Sequence, residues 1–553
     1  MPPTHEVFNQ PPALTGYDVS DDPAMLSALR REGAAWARDG IRDLGRLAGS
    51  ARVQAQGRQA NENPPVLRTH DRFGHRIDEV EFHPAWHELL TVAVQHGLHA
   101  APWTDNRPGA HVARAAGFYV WGAAEAGHCC PVSMTYAIVP ALRHAPDLAR
   151  RFEPLLAAQE YDAGLAPPDT KRGLLAGMSM TEKQGGSDVR ANTTRAVRVK
   201  GDGEAGGESY LLTGHKWFTS APMGDLFMVL AQAPAGLSCF LLPRVRPDGS
   251  RNGMHLQRLK DKLGNRSNAS AEVEYDQALA WLVGEEGRGV RTIIEMVNMT
   301  RLDCVLGTAT GMRAAVTLAA HHAAHRTAFG RKLADQPLMA SVLADLAIES
   351  EATTMAAFRL AGATDRAAGG DEAEAAFRRL ALAATKYWVC KRAPGHAAEA
   401  LECLGGNGYV EESGMPRLYR EAPLASIWEG SGNVAALDAL RALTRQPESA
   451  EALFAELDLA AGGDRRLDQA VGRLRKELSD PGEARARYLA ESMALALQGA
   501  LLVRHGDPAV ADAFVASRLA DDSGGFRGWG HAYGTLPSGI DTAAVIRRAT
   551  PAI

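Results

Sequence analysis

The spacing of apolar residues changes twice along this chain, and those two changes limit its fold more than any other feature. Up to about residue 170 the apolar residues recur at helical spacing, over 25–47, 86–94, 112–127 and 134–142. Between about 173 and 284 they fall into short runs at 174–180, 194–199, 210–213, 226–231 and 237–242. Turn residues such as Asp202-Gly203 and Pro247-Asp248-Gly249 separate these runs, so they predict strands of a barrel or small sandwich. From Val290 onward helical spacing returns over 293–326, 337–361, 372–403 and 433–444, with Gly362 and Gly369-Gly370 in the gap between the second and third. Helices, strands and helices in blocks exclude alternating β-α-β units. They predict a mixed α+β, mainly α protein. Its expected parts are a helical domain over 1–175, a β-barrel-like domain over 176–285, a helical bundle over 286–445 and an additional helical domain over 446–553.

Several functions are excluded or weakened by bulk properties. A chain of 553 residues exceeds what one core can organise, so two to four structural units are expected. The formal net charge of −5 gives no global positive field toward nucleic acid or anionic membrane, and any such contact needs a local patch. Six cysteines without a C-x-x-C pair make no disulfide framework, and the vicinal Cys129-Cys130 reads as buried packing. No metal site is expected. Residues 1–10 lack the regions of a signal peptide, and no apolar run is long enough to span a bilayer. The cytoplasm is the expected location.

Five short motifs could carry chemistry. Met180-Thr181-Glu182-Lys183-Gln184-Gly185-Gly186-Ser187-Asp188 offers hydroxyls and backbone amides to a polar heterocycle, or is a turn between strands. In Gly214-His215-Lys216-Trp217-Phe218-Thr219-Ser220, Trp217 and Thr219 stand two apart, hence on one strand face, where a flat ring beside a hydroxyl suits a flavin. Alone, that pair is a cross-strand aromatic. Glu402-x-x-Gly405-Gly406-x-Gly408-Tyr409 exposes amides that can hold a phosphate, or simply ends a helix. Ile427-Trp428-Glu429-Gly430-Ser431-Gly432-Asn433 sets one carboxylate in an apolar, glycine-flanked turn. Lost hydration raises its pKa and suits a base; the plain alternative is a helix-terminal carboxylate. Arg326-x-x-Phe329-Gly330, with Gln336 beyond it, could pair with a pyrophosphate or be an ordinary helix-terminal arginine.

In this order and spacing the motifs resemble the acyl-CoA dehydrogenase family over about 80–445. The T-E-x-x-G-G-S-D stretch at 181–188 looks like its first signature, with Ser179 where a smaller residue or Cys is usual. The stretch from Glu402 to Glu421 looks like the second. The resemblance implies FAD, an acyl-CoA dehydrogenase fold with a four-helix bundle, and roles residue by residue. Met180, Thr181, Gly186, Ser187, Trp217 and Thr219 would line the flavin ring, with Thr219 near N5. Arg326, Phe329, Gln336, Glu402, Gly405 and Gly406 would hold the ADP half, largely across a subunit boundary. Ser431 and Asn433 would contact FAD from the turn after the base. Glu402 stands where many members have Gln. Glu429 matches the base that removes the α-proton of an acyl-CoA thioester. The alternative base position of isovaleryl-type members corresponds to Thr300, whose hydroxyl cannot serve.

A narrower resemblance, to the AidB-like flavoproteins of the bacterial response to DNA alkylation, runs nearly end to end. It rests on 182–188, on Lys260-Asp261-Lys262-Leu263-Gly264-Asn265-Arg266-Ser267-Asn268-Ala269-Ser270, on 426–433, and on Val7-Phe8-Asn9-Gln10-Pro11. It implies a homotetramer that binds double-stranded DNA and has weak isovaleryl-CoA dehydrogenase activity; the alternative is a metabolic short- or branched-chain acyl-CoA dehydrogenase without a DNA role. The residues themselves support DNA only locally. From Arg441 to Ile553 there are 14 Lys and Arg against 15 Asp and Glu. Arg441, Arg465, Arg466, Arg473, Arg475 and Lys476 are the candidate phosphate contacts. Leu467, Val471, Leu474 and Leu478 form an apolar stripe, so Arg465, Arg466, Arg473 and Lys476 are expected to project to solvent. A solvated, salt-bridged face is the competing reading.

Overall fold

The computed structural model describes residues 4–199, 208–520 and 532–551. Contacts divide the chain into two compact units, one of residues 52–107 and 124–303, the other of residues 1–51, 108–123 and 304–553. The turn expected at Asp202-Gly203 lies outside the described residues, within 200–207.

The first unit is built on a barrel. A hairpin of β1 (Val66–His70) and β2 (Arg76–Glu81) precedes seven strands: β3 (Ala176–Ser179), β4 (Arg195–Arg198), β5 (Ser209–Ser220), β6 (Leu226–Ala233), β7 (Gly236–Pro243), β8 (Met254–Leu259) and β9 (Ser270–Val283). Their pairings return on themselves: β5 lies on β9, β9 on β7, β7 on β6, β6 on β3, and β3 on β5. Closure removes most of the exposed edge that an open sheet would present. Tyr210, Leu212, Phe227, Phe240, Val273 and Tyr275 fill the interior. β6 is buried on both faces over its first six residues, which is why it reads as an unbroken apolar run. In β9, Ala271, Val273 and Tyr275 alternate with Glu272, Glu274 and Asp276, a period of two that a search for apolar runs overlooks.

A buried carboxylate ties helix to barrel within this unit. Glu125 accepts hydrogen bonds from Asn61 Nδ2 (2.8 Å), Gly127 N (2.7 Å), His128 N (2.9 Å) and Ser267 Oγ (2.8 Å). Burial alone raises a carboxyl pKa. Here the His128 imidazole and these donors outweigh it and hold Glu125 down at about 2. A buried ion thus locates the 260–270 segment.

The second unit is helical. Its long helices are the later part of Gly289–His325, then Pro337–Ala368, Glu372–Glu402 and Gly432–Arg445. The break expected at Gly362 does not occur, and the helix continues to Ala368. A Cβ on Gly362 would lie 2.1 Å from Glu32 Oε2. An added Cβ would have to displace the Glu32 carboxylate, so the close approach favours glycine there. Gly369-Gly370 does end the helix, with Gly370 at φ +96°. After Pro447 the chain adds Pro447–Asp458, Arg465–Glu477, Ala486–His505, Pro508–Phe514 and Thr542–Ala549. Ala486–His505 packs on Glu372–Glu402, Pro337–Ala368 and Gly432–Arg445, so this addition shares the bundle's compact unit. Buried charges join them: Arg518 Nη2 lies 2.5 Å from Asp345 and 2.9 Å from Glu349, and Arg359 and Arg504 both reach Glu456 at 2.8 Å.

His396, in the same buried region, makes the fold acid-sensitive. Its Nε2 donates to the Leu346 carbonyl at 3.0 Å, and burial pushes its pKa from 6.5 down to about 4. The unfolded chain takes up the proton near 6.5, the folded chain only near 4. The contribution is therefore complete above 6.5 and is lost as pH falls through 4, by up to about 3 kcal/mol. In His396→Gln the fall in urea midpoint between about pH 7 and about pH 5 is expected to shrink. An unchanged fall would refute this assignment.

Candidate active site

The barrel unit presents the ring-lining candidates on β3, β5 and the loop between β3 and β4. The loop is held by one buried pair. Glu182 accepts Lys216 Nζ at 2.9 Å, Thr193 N at 2.7 Å, Thr194 N at 3.0 Å and Thr194 Oγ1 at 2.7 Å, and both side chains of the pair are fully buried. Burial pushes Lys216 down to about 8. On Glu182 the Lys216 charge and the surrounding donors overcome burial and hold it well below the usual carboxylate range. The ionised pair is the form these donors favour. Glu182 is thus the hub of the first signature, which the motif reading passed over. Around it Met180 and Thr181 are half-buried, Gly186 and Ser187 exposed. Thr181 O accepts Trp217 N at 2.8 Å, joining loop to β5. A Cβ on Gly186 would meet Thr181 Oγ1 at 2.4 Å, so that position has room only for glycine.

β5 does not alternate simply through its motif. Its register with β9 shifts between Lys216 and Thr219, so the inference that places Trp217 and Thr219 on one face crosses a bulge. Trp217 is half-buried, with Lys260 Nζ 3.4 Å from the ring centroid, whereas Thr219 is buried and its hydroxyl bonds Ser179 Oγ. Ser179, the departure noted in the first signature, is therefore the direct partner of Thr219. Thr300 lies buried with its hydroxyl 3.0 Å from the Val297 carbonyl of its own helix.

The helical unit carries the other candidates. Glu429 is half-buried and lies at φ +56°, a left-handed conformation that costs a non-glycine residue about 1–3 kcal/mol. Gly430 follows at φ +103°. Lys386, buried in the Glu372–Glu402 helix, donates to the carbonyls on both sides, Trp428 O at 2.7 Å and Gly430 O. One ammonium thereby fixes the turn that presents the carboxylate. Nothing in the sequence marks Lys386; it is one charge in an otherwise ordinary helical face. Ser431 N-caps the next helix without a side-chain bond, and Asn433 Oδ1 accepts Arg487 Nε at 2.7 Å. Glu402 ends its helix, exposed, and Gly405 (φ +59°) and Gly406 beyond it are exposed too.

Arg326 opens a hairpin, Thr327–Ala328 against Arg331–Lys332, with Phe329 (φ +52°) and Gly330 (φ +76°) at its tip. Gln336 Nε2 donates to Ala328 O at 2.8 Å, and Phe329 is 97% exposed. The donor chemistry fits a flavin dinucleotide. Hydroxyls, exposed amides and an indole face suit the ring; a guanidinium, an amide and a glycine turn suit its pyrophosphate.

The basic cluster fares differently. Arg466 is held by Asp464 and Asp512, and Arg475 by both oxygens of Asp458 at 2.6 Å. Arg473 does not project to solvent as expected; it is half-buried and donates to Leu519 O at 2.9 Å, because the Val515–Leu519 segment covers that side of its helix. Arg441, Arg465 and Lys476 are exposed.

A closed antiparallel-rich barrel and a helical bundle that presents a carboxylate from a strained turn define an acyl-CoA dehydrogenase fold. The sequence profiles agree: Acyl-CoA dehydrogenase, middle domain, matches 177–278, and Acyl-CoA dehydrogenase, C-terminal domain, matches 287–444. The chain belongs to the acyl-CoA dehydrogenase family, a class of FAD-dependent oxidoreductases. Its N-terminal part, 9–163, matches the Adaptive response protein AidB N-terminal domain. It is 47% identical over 527 residues, 95% of this chain and 96% of the other, to AidB of Escherichia coli (strain K12), a protein named for a proposed acyl-CoA dehydrogenase role. It is 31% identical to Acyl-CoA dehydrogenase family member 11 of Caenorhabditis elegans over 84% of this chain and 79% of that one. The solved structure of Caenorhabditis elegans ACDH-11 in complex with C11-CoA superimposes with TM-score 0.82 at 26% identity, covering 99% of this chain and 93% of that one. A second solved structure, the Bd2924 apo-form, gives TM-score 0.81 at 30% identity, covering 91% of this chain and 100% of that one.

Proposed function

We propose that this chain oxidises an acyl-CoA thioester across its Cα–Cβ bond, with the carboxylate of Glu429 as the base. The observation that carries this reading is the Glu429 turn. A non-glycine residue is held left-handed by a buried ammonium on both flanking carbonyls, and such stored strain is characteristic of working residues. Bound FAD would supply the hydride acceptor. Glu429 Oε takes the α-proton, a weakly acidic one, so a fixed carboxylate is needed in place of a hydroxyl such as that of Thr300. Met180, Thr181, Gly186, Ser187, Trp217 and Thr219 would orient the flavin ring. Arg326, Phe329, Gln336, Glu402, Gly405, Gly406, Ser431 and Asn433 would hold the rest of FAD. That ACDH-11 was crystallised with C11-CoA supports an acyl-CoA ligand. The modules 1–175, 176–285, 286–445 and 446–553, a homotetramer and a cytoplasmic location complete the reading. Among the described residues no helix is long and apolar enough to cross a membrane.

The AidB likeness also favours double-stranded DNA as a partner. Arg441, Arg465 and Lys476, exposed and outside the ion pairs that hold Arg466 and Arg475, are the residues that would meet phosphates. Isovaleryl-CoA and a longer straight-chain acyl-CoA, titrated anaerobically into the purified protein, are expected to bleach the flavin. No bleaching by either ends the dehydrogenase reading. Duplex DNA is expected to be retarded in a gel at low salt and released as salt rises. Absence of retardation at low salt removes the DNA partner and leaves the dehydrogenase reading standing.

A further inference from the structure

The N-terminal Val7-Phe8-Asn9-Gln10-Pro11 segment is used by none of the chemistry above, yet its asparagine is bonded to the Arg326 hairpin across more than 300 residues. Asn9 Nδ2 donates to Thr327 O at 2.8 Å and Asn9 Oδ1 accepts Thr327 N at 2.7 Å. One side-chain amide thus satisfies both backbone groups of one residue, as a neighbouring strand would. Arg326 Nη1 donates to the Asn9 carbonyl at 2.6 Å. Three residues on, His321 Nε2 lies 2.8 Å from Pro12 O, fastening the segment to the helix that leads into the hairpin. Asn9 sits at φ +55°, a conformation that asparagine tolerates better than most residues.

The hairpin needs such support. It has only two paired positions, Thr327 with Lys332 and Ala328 with Arg331, and a bulky residue at positive φ at its tip. Two-stranded ribbons are marginal in water even when longer and unstrained. The strap engages Arg326 through Nη1, and Arg331 and Lys332 in the same hairpin are exposed. A planar fork with one corner pinned loses less freedom when it meets a pair of phosphate oxygens.

We propose that Asn9 is a positioning residue for dinucleotide binding: it holds the Arg326–Lys332 hairpin so that Arg326 meets the pyrophosphate of FAD already oriented. This rests on the reading of Arg326 as a ligand of the ADP half. The test uses the full-length protein, stripped of flavin and titrated with FAD, with ADP as competitor. Asn9→Gly tolerates the positive φ and removes the side chain that carries the amide. It is expected to weaken FAD by about tenfold or more, about 1.4 kcal/mol, and to weaken ADP competition in proportion. The spectrum of bound flavin and the thermal midpoint of the flavin-free protein should not change. Wild-type affinity for FAD and ADP in Asn9→Gly overturns the strap, and so does a fall in the flavin-free midpoint that accounts for the lost affinity. Arg326→Gln separates the two claims. If it binds FAD like the wild type, the reading of Arg326 fails; if it weakens FAD while Asn9→Gly does not, only the strap fails.

Discussion

Glu429→Gln is expected to give a yellow, folded protein whose flavin acyl-CoA no longer bleaches. Gln matches Glu in length and shape but cannot accept the α-proton, and removing a positioned base typically costs about 10²–10⁴ in rate. The backbone that presents the side chain should survive, because Lys386 bonds the carbonyls of Trp428 and Gly430. These two bonds to the turn at φ +56° remain in the variant. Acyl-CoA should still perturb the flavin spectrum at about the wild-type concentration while the bleaching rate collapses, which is the pattern of an interaction needed only in the transition state. Rapid-mixing absorbance under anaerobic conditions measures both. A Glu429→Gln protein that bleaches at more than about a tenth of the wild-type rate would show that the proton goes elsewhere.

Much of the architecture was legible because its signals are local. The change from helical to strand-like spacing near 173 and back near 290 matches β3 at Ala176–Ser179 and the helix at Gly289–His325. The misses have identifiable causes. β9 alternates charged and apolar residues, so it lacked the unbroken run that revealed β6. Gly362 read as a breaker because a sequence does not show that Glu32 comes to lie against that helix. The site was legible in its motifs but not in what holds them. Glu182, Lys216 and Lys386 are charges whose partners are distant or are backbone carbonyls, and neither relation leaves a spacing to find. Arg473 shows the same limit from the other side. Its helix has the expected apolar stripe, and the Val515–Leu519 segment that turns the guanidinium inward lies some forty residues on.

Arg518→Met is expected to be the most destabilising single change outside the site. Arg518 is 1% exposed and sits on a π-helical segment, Val515–Leu519, whose wider turn carries it against the Pro337–Ala368 helix. There it meets Asp345 and Glu349, which are 0% and 1% exposed, and Arg392 approaches Glu349 at 3.3 Å from Glu372–Glu402. Asp345 also accepts Gly534 N at 3.0 Å, so the network stitches the chain beyond 500 to two bundle helices. Two guanidiniums against two carboxylates are balanced. Removing one strands a buried negative charge, at a cost of about 3–5 kcal/mol. That corresponds to a thermal midpoint lower by roughly 3–4 °C if a chain of 553 residues unfolds as one unit. Burial raises Glu349, and Arg392 and Arg518 outweigh it and lower it, so its contribution is present above the ordinary carboxylate range and is lost as pH falls through its folded value. In Arg518→Met the protein should therefore be weakened most near neutral pH and least in acid, where Glu349 is protonated in both proteins. The double variant Arg518→Met with Glu349→Gln should recover part of the loss at neutral pH, since the stranded charge is gone. If the single variant melts with the wild type, or the double variant is worse than the single by the full sum of the separate losses, the charge balance is not what joins these helices.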